Sequence, residues 1–244
     1  MLDGELVTMF ATNFYGYGDD KAPLWFVGLE EGGGNDLSKV QARLLEWQRR
    51  GGHELEDLKE FHEAIGVRNW FGNSPKIQTT WGKYIRLLLS ARNGAPASDD
   101  DVRGLQTSGF GQYGSRTCLI ELLPLPSPSI DDWNYEATED LLWLESRKKY
   151  RQHHLPHRAK QIARKIKDKQ PKVVVFAARK FEKPKIWSHF EGFPALERDV
   201  VRGLASASLG ETRLIVIRHP ASRGVTNEYF EKVGEWVWAE VGGV

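Results

Sequence analysis

Two adjacent carboxylates, Glu30 and Glu31, follow an apolar run and stand directly before three glycines. The run, residues 24–29, is typical of a buried strand, and after Asp36 apolar residues recur at the spacing of a helix. Ligands of open α/β sheets bind beyond the carboxyl ends of the strands, where glycines let the backbone come close to them. Glu30 and Glu31 could therefore serve acid–base chemistry. Alternatively, these carboxylates and Asp36 only support the start of the next helix.

Two further polar groups accompany apolar runs. Glu121 lies inside the run 118–123, where a carboxylate is costly unless it is paired, neutralised or directed into a site. His219 follows the run 213–217. We expect the prolines within 124–128 to form a stiff wall beyond the end of their strand, because proline cannot continue a central strand.

The apolar patterns predict four strands separated by helices, which favours parallel strands with right-handed crossovers. Such a sheet would bring Glu30, Glu121 and His219 to one edge. We expect a single α/β domain over residues 1–244, with a helical and loop insertion around 48–116 and an irregular, mobile stretch at 93–116. The strands are predicted at 24–27, 118–123, 173–177 and 213–217, and helices at about 37–47, 55–65, 81–89, 138–144 and 227–241.

Composition narrows the functional classes. With 40% hydrophobic and 27% charged residues, the chain resembles a globular protein, and no apolar run approaches the length of a membrane span. A single cysteine, Cys118, excludes an intrachain disulfide and a multi-cysteine metal or iron–sulfur site. Since no signal peptide is visible, we expect a cytoplasmic protein. No membrane partner and no obligatory protein partner is evident.

The net charge of +1 conceals a basic block from Arg147 to Lys172, in which Asp168 is the sole acid. Such a block indicates a polyanionic partner, with Lys160 and Arg164 as candidate phosphate contacts. Alternatively, it is the solvated face of a helix. The histidines at 153, 154 and 157 are interpreted as charge facing DNA, although metal binding is the alternative.

Three motifs, in this order, resemble those of the uracil-DNA glycosylase superfamily. The first is the stretch 28–32, Gly-Leu-Glu-Glu-Gly, and the last is 219–224, His-Pro-Ala-Ser-Arg-Gly. Between them lies 120–124, Ile-Glu-Leu-Leu-Pro. The resemblance spans residues 24–224 and implies a three-layer α/β/α sandwich with a central, mainly parallel four-stranded sheet. It also implies that DNA, double- or single-stranded, is the partner. The implied activity requires no cofactor and no metal.

The resemblance implies roles for individual residues. Glu30 falls on the position that activates water, and His219 on the one that donates a hydrogen bond to the departing base. Glu121 falls on the position that reads the base, beside Gly28 in the base-binding set. The remaining candidates are Phe71, which would stack on the base, and a group that would contact DNA: Gly32, Gly33, Ser222 and Arg223.

This sequence departs from the superfamily pattern at three positions. Glu31 stands where proline is common, Ala221 where serine is common, and Glu121 where asparagine reads uracil. An ionised glutamate only accepts hydrogen bonds, and the N4 amino group of cytosine is its natural partner. We therefore predict excision of a cytosine-type or modified cytosine base, as in defence against phage DNA, leaving an abasic site. A protonated Glu121 could instead bind a uracil-like carbonyl, as in a repair glycosylase.

Two other classes of function stay open at this point. The chain could be a nucleic-acid-binding protein on the same fold without catalytic activity. It could also be a metal-dependent nuclease or phosphohydrolase that uses Glu30, Glu31 and the run Asp99–Asp101, although these aspartates more simply cap a helix or are solvated.

Overall fold

The computed structural model describes residues 2–129, 132–136, 138, 141–181 and 184–244. Within these ranges the chain forms one mixed sheet of eight strands and seven α-helices. None of these helices is long and apolar enough to cross a membrane. The helices and strands are, in chain order, α1 (Gly4–Asn13), β1 (Gly16–Gly18), β2 (Leu24–Gly32), α2 (Leu37–Arg49), β3 (Leu55–Glu56), α3 (Leu58–Ala64), α4 (Thr79–Asn93), α5 (Asp99–Ser108), β4 (Thr117–Ser127), α6 (Arg147–Lys169), β5 (Val173–Ala178), β6 (Glu197–Asp199), β7 (Leu204–Leu209), β8 (Thr212–Arg218) and α7 (Asn227–Val241).

The strand order is β3-β1-β4-β2-β5-β8-β7-β6. The four central strands, β4, β2, β5 and β8, run parallel to one another, and they are the four that the sequence predicts. The α/β class is thus confirmed, but the prediction of a four-stranded sheet is wrong. Short strands extend both sides of this centre. On one side β1 pairs antiparallel with β4 and parallel with β3, and on the other side β7 pairs antiparallel with both β8 and β6.

The central strands are continuous apolar runs because they are buried. All six residues of β5 are buried, and so are Leu214–Ile217 of β8. Strands covered on both faces favour uninterrupted β-branched and aliphatic residues. The buried apolar side chains belong to one cluster that extends from Leu2 to Val244.

Strand β4 does not end at the prolines, contrary to the prediction. It continues through Pro124 and Pro126 to Ser127, which pairs with Gly32 of β2. The register between β2 and β4 shifts after Glu30, so that four residues of β4 lie opposite two of β2. Such a bulge leaves backbone groups outside the regular ladder, where proline is tolerated.

The stretch predicted as irregular contains a regular helix, α5. Ser98 and Asp101 form a capping box, in which the side chain of each accepts a hydrogen bond from the backbone N–H of the other. Phe110, which was expected in a mobile loop, is fully buried. Of the helix predicted near 138–144, residues 139 and 140 lie outside the described ranges, and 142–144 form one 3₁₀ turn.

Candidate functional site

The register of the sheet places Glu30 and His219 at the same edge. Val27 of β2 and Val216 of β8 both pair with Phe176 of β5, and the two candidate residues follow these valines by three positions each. Neighbouring strands lie about 4.8 Å apart, so the two backbones are separated by about 10 Å. The predicted convergence at the carboxyl edge is therefore present at the level of the backbone.

Glu121 lies one strand away from this pair, directly beside Gly28. A Cβ atom on Gly28 would be 2.6 Å from Oε2 of Glu121, so the glycine provides the space for this carboxyl group. Oε2 is buried and accepts no hydrogen bond from any described residue. Burial, reinforced by the charges of Glu31 and Glu30, raises the pKa of Glu121 well above its usual value.

Glu31 is held by a network of ionic and polar side chains. Tyr17 donates its hydroxyl to Oε2 at 2.9 Å, Arg43 donates to the same oxygen at 2.5 Å, and Nε2 of His62 lies 3.5 Å from Oε1. Burial alone would raise the pKa of Glu31, but Arg43 and His62 outweigh it and lower the pKa to about 2. Glu31 is thus an ionised residue of an ion-pair network.

Glu30 has a different environment, although it is the adjacent residue. Its Oε1 accepts a hydrogen bond from Arg147 at the start of α6, and the guanidinium also donates to Ser127 Oγ at 2.6 Å. Oε2 of Glu30 is buried and has no hydrogen-bond partner in the described parts of the chain. Burial raises the pKa of Glu30, and Arg147 opposes that rise. One oxygen is therefore anchored by Arg147, while the other is buried without a hydrogen-bond partner among the described residues.

The ring of His219 is oriented by its own loop. The N–H of Ala221 donates to Nδ1 at 3.1 Å, so a neutral ring carries its proton on Nε2. Burial lowers the pKa of His219, and the positive charges of Arg179 and Lys83 lower it further. Lys83 donates to the carbonyls of Pro220 at 2.5 Å and Val225 at 3.0 Å, which fixes both ends of the loop. His219 is thus a neutral hydrogen-bond donor.

The glycines after β2 leave room beside the carboxylates. A Cβ on Gly32 would meet nothing within 4 Å, and one on Gly33 would only touch Pro126 at 3.8 Å. Both glycines are exposed. This arrangement is compatible with the close approach of a backbone that was predicted for them.

Phe71, the candidate stacking residue, is only 6% exposed. Its ring packs against His62, with centroids 6.1 Å apart, and against Trp81 at 5.8 Å. Through His62 it borders the Glu31 network. Its role in stacking stays a prediction.

Exposed cations line the edge of the sheet. Arg179 follows β5, which lies between β2 and β8, and Arg223 lies in the loop after His219. Ser222 is half-buried, and its N–H donates to the carbonyl of His219 at 2.9 Å. Arg179 and Arg223 are therefore available to phosphate groups at this edge.

Lys160 and Arg164 are exposed but lie far from this edge. Helix α6 starts at Arg147 beside Glu30, and a rise of 1.5 Å per residue puts the two side chains about 20 and 25 Å farther along its axis. Lys160 lines a surface groove of about 470 Å³ with His157 and His189, and none of the candidate catalytic residues lines that groove. The structure does not bring these two cations to the site.

Two members of the basic block do not face a partner at all. Arg158 is fully buried and donates to the backbone carbonyls of five residues: Ala11, Thr12, Phe14, Glu121 and Leu122. His154 is buried against Trp143, and this burial lowers its pKa to about 3. The interpretation of His154 as charge facing DNA is therefore wrong, because the ring is neutral and packed inside.

The aspartates considered for a cation belong to the first turn of α5. Asp99 pairs with Arg86, Asp100 with Arg103, and Asp101 with the cap residue Ser98. In the ranges that the structure describes, no group of three or more histidine, cysteine or acidic side chains has an arrangement that could hold a metal ion.

Sequence reasoning did not assign the partners that define this site. Tyr17, Arg43, His62, Arg147 and Arg179 lie on five different elements or loops. Arg147 was visible only as one cation of the basic block, and Arg43 as one polar residue of a helix. No local pattern marks them, because their function depends on where the fold places them.

Models of known protein families give no match to this sequence, and no curated protein matches it.

Proposed function

We propose that this protein is a DNA glycosylase that hydrolyses the N-glycosidic bond of a flipped-out, cytosine-type base and leaves an abasic site. The observation that carries the proposal is the alignment of Glu30 and His219 at one sheet edge, with the buried carboxyl group of Glu121 beside them. A nucleotide in a duplex must leave the stack before its glycosidic bond can be reached.

Glu30 acts on the sugar and the water. Breaking the bond develops positive charge on the sugar ring, which a carboxylate stabilises, and the carboxylate also orients and deprotonates the attacking water. The raised pKa makes Glu30 a stronger base than an exposed glutamate, while Arg147 preserves its ionised form. The adjacent Glu31 is a weaker base, because its pKa is about 2 and its oxygens are engaged.

His219 acts on the departing base. As the bond breaks, negative charge grows on the base and is carried in part by the O2 atom of a pyrimidine. A neutral imidazole with its proton on Nε2 can donate a hydrogen bond to that oxygen, and such preorganised donors stabilise developing charge. The hydrogen bond from Ala221 to Nδ1 supports this tautomer.

Glu121 reads the edge of the base. Its raised pKa favours a neutral carboxylic acid, which presents one O–H donor and one carbonyl acceptor side by side. That pair complements N3 and the N4 amino group of cytosine. It also complements N3–H and O4 of uracil, so the raised pKa keeps uracil as the second candidate substrate. Because a neutral Glu121 complements both bases, the choice between cytosine and uracil is decided by measuring which base is released.

DNA would be held by the exposed cations of the same edge, Arg179 and Arg223, with the open space beside Gly32 and Gly33 for the backbone. Contacts of cations with phosphates make binding strongly dependent on salt. We also propose the finer architecture that the resemblance implies, a single three-layer domain similar to uracil-DNA glycosylase. We further propose that the protein acts in the cytoplasm and without a cofactor.

The first test measures free base by mass spectrometry after incubation with DNA oligonucleotides. We expect Glu30→Gln to abolish base release and to retain DNA binding, because the amide cannot accept the proton of water. Glu228→Gln is the matched control, since Glu228 pairs with Lys232 on the surface of α7. Binding by the wild type without release of any base would favour a nucleic-acid-binding protein without catalytic activity.

The second test separates the candidate substrates and mechanisms. Oligonucleotides carry uracil, cytosine or a modified cytosine at one position, and each reaction is repeated with EDTA. We expect release of a cytosine-type base, abasic sites as product and unchanged activity in EDTA. Release of uracil alone would refute the cytosine assignment, and strand cleavage that EDTA abolishes would indicate a metal-dependent nuclease instead.

A further inference from the structure

Two valines at the tip of a β-hairpin are unusually exposed. Val200 is 72% and Val201 is 97% exposed, and they connect β6 to β7. Single exposed apolar residues need no explanation, but neighbouring ones on a projecting structured turn indicate a contact surface.

Hydrogen bonds hold the hairpin turn, residues 200–203, at its tip and at its base. At the tip, Asp199 Oδ1 accepts the N–H of Arg202 at 2.9 Å, and Oδ2 binds the guanidinium of Arg202 at 2.5 Å. At the base, the Tyr229 hydroxyl donates to the carbonyl of Gly203 at 2.8 Å and accepts the N–H of Arg218 at 3.0 Å. The two valines are therefore presented in a fixed position.

The tip lies at the same edge of the sheet as the candidate site. Strand β7 is antiparallel to β8, and Ala205 pairs with Val216, so the start of β7 lies beside the end of β8. In β6, Asp199 pairs with Leu204, so the turn projects beyond that end. The hairpin strand β6 is two strands from β8, a lateral distance of about 10 Å from the strand that leads into His219.

The surroundings of the tip are mainly cationic. Arg198 and Arg202 are exposed on the hairpin, and Arg218 and Arg223 are exposed at the end of β8 and in the loop after it. The hairpin strand β6 also carries two acids, the exposed Glu197 and the half-buried Asp199, and Asp199 is paired with Arg202. An apolar tip among arginines matches a DNA duplex, in which phosphates surround stacked bases.

We propose that Val200 and Val201 form a wedge that enters the base stack of duplex DNA and holds it open when the target nucleotide is flipped. Proteins that deform DNA insert apolar side chains between base steps in this way. The loop after His219 offers no large exposed apolar side chain for this purpose, since its exposed or half-buried residues, Ala221, Ser222, Arg223 and Gly224, are polar or small, and Val225 is buried.

The wedge rests on the proposed glycosylase activity, and its test separates the two. The double variant Val200→Ser with Val201→Ser is compared with the wild type on one target base in a duplex and in a single strand. We expect excision from the duplex to fall about tenfold, since the variant no longer fills the opened step, and excision from the single strand to change less than about twofold.

Two matched variants accompany this experiment. Val200→Leu with Val201→Leu keeps apolar side chains at the tip and should restore excision from the duplex. Leu45→Ser removes an apolar side chain that is 49% exposed on α2 and should leave both rates unchanged. An equal loss on both substrates, or no loss on the duplex, would overturn the wedge.

A second readout applies even where no base is released. A 2-aminopurine placed in a duplex next to the target base becomes more fluorescent when the stack opens. An increase with the wild type that the serine variant lacks supports the wedge, whether or not the glycosylase proposal holds. No increase with the wild type overturns it, and so does a serine variant that only breaks self-association in sedimentation while duplex binding is unchanged.

Discussion

Replacing Glu31 by glutamine is a direct test of the environments derived for the two adjacent carboxylates. Glu31 accepts hydrogen bonds from Tyr17 and Arg43 and lies beside His62, and these partners lower its pKa from 4.5 to about 2 in spite of burial. In the unfolded chain the partners are dispersed, so the carboxyl group titrates near its ordinary value.

The magnitude follows from linkage. The folded pKa lies about 2.5 units below the unfolded value, and at about 1.4 kcal/mol per unit the ionised carboxylate contributes about 3 kcal/mol to the free energy of unfolding. The unfolded state binds more protons between these two pKa values. The contribution is therefore fully present above about pH 5 and is lost as the pH falls from 4.5 towards 2. Glu31→Gln cannot titrate and lacks this dependence.

The assay is urea unfolding, followed by tryptophan fluorescence at a series of pH values from 6 downwards. Carboxylates that both proteins share cancel in the difference between wild type and variant, which should shrink by about 3 kcal/mol as the pH approaches 2. Glu228→Gln is the control, because its exposed pair should leave the difference nearly flat. A difference for Glu31→Gln that stays constant from pH 6 to pH 2 would refute the assignment of Glu31 to an ion-pair network.

Three further predictions concern the surrounding residues. Gly28→Ala should lower base release by at least about tenfold, because the new Cβ displaces a carboxyl oxygen that lies 2.6 Å away. Gly104→Ala on α5 is the control and should be neutral, since its Cβ meets nothing within 4 Å, and initial rates of base release are compared. Arg147→Met should move the acidic limb of the pH–rate profile to higher pH, because it removes the cation that lowers the pKa of Glu30. Arg158→Met should destabilise the fold by about 3–5 kcal/mol in urea unfolding, because five backbone carbonyls lose a buried charged donor, and the exposed lysine two positions later should tolerate the same change.

The centre of the fold could be predicted from the sequence, because its strands are buried on both faces and appear as apolar runs. The outer strands could not. Strand β1 is Gly-Tyr-Gly and β3 has two residues, which is too short for any periodicity. Strand β7 alternates small residues, Ala-Ser-Ala-Ser, and carries no strong signal of its own. These strands form because the edges of the central sheet offer hydrogen-bonding partners.

The predictions for the end of β4 and for the stretch that contains α5 were wrong for a different reason, since both relied on the average preferences of proline and glycine. Pro124 and Pro126 were expected to end β4, yet the bulge beside Glu30 removes the need for their N–H groups. The Ser98–Asp101 capping box was readable in the sequence, but the glycines around it favoured the interpretation as a loop. In each case the average preference of a residue type, proline against strands and glycine against helices, was outweighed by the hydrogen bonds available at that position.

The candidate site, like the fold, could be predicted from the sequence only in part. The positions of Glu30 and His219 near one edge of the sheet could be predicted, since parallel strands share an edge. Glu121 instead lies within β4, which continues to Ser127, and it is beside Gly28 rather than at a strand end. The different environments of the two adjacent glutamates, from which we propose Glu30 as the base, could not be predicted, because they depend on Arg43 and Arg147. These cations come from α2 and from the start of α6, and only the tertiary fold determines the carboxylate that each one contacts.

The three carboxyl groups form a graded set that the fold creates from one residue type. Glu31 is the most acidic because it has several polar partners, Glu30 is less acidic because one cation opposes its burial, and Glu121 is the least acidic because burial and two neighbouring carboxylates act together. Pairs of acidic groups whose environments separate their pKa values are how proteins assign different acid–base roles at one pH. The bulge in β4 supports this separation, since it breaks the regular pairing after Glu30 and lets adjacent side chains reach different partners. In the proposed function, the same chemical group at three positions would thus supply an ion-pair network that fixes the strand, a base that takes a proton and a neutral acid that reads the substrate.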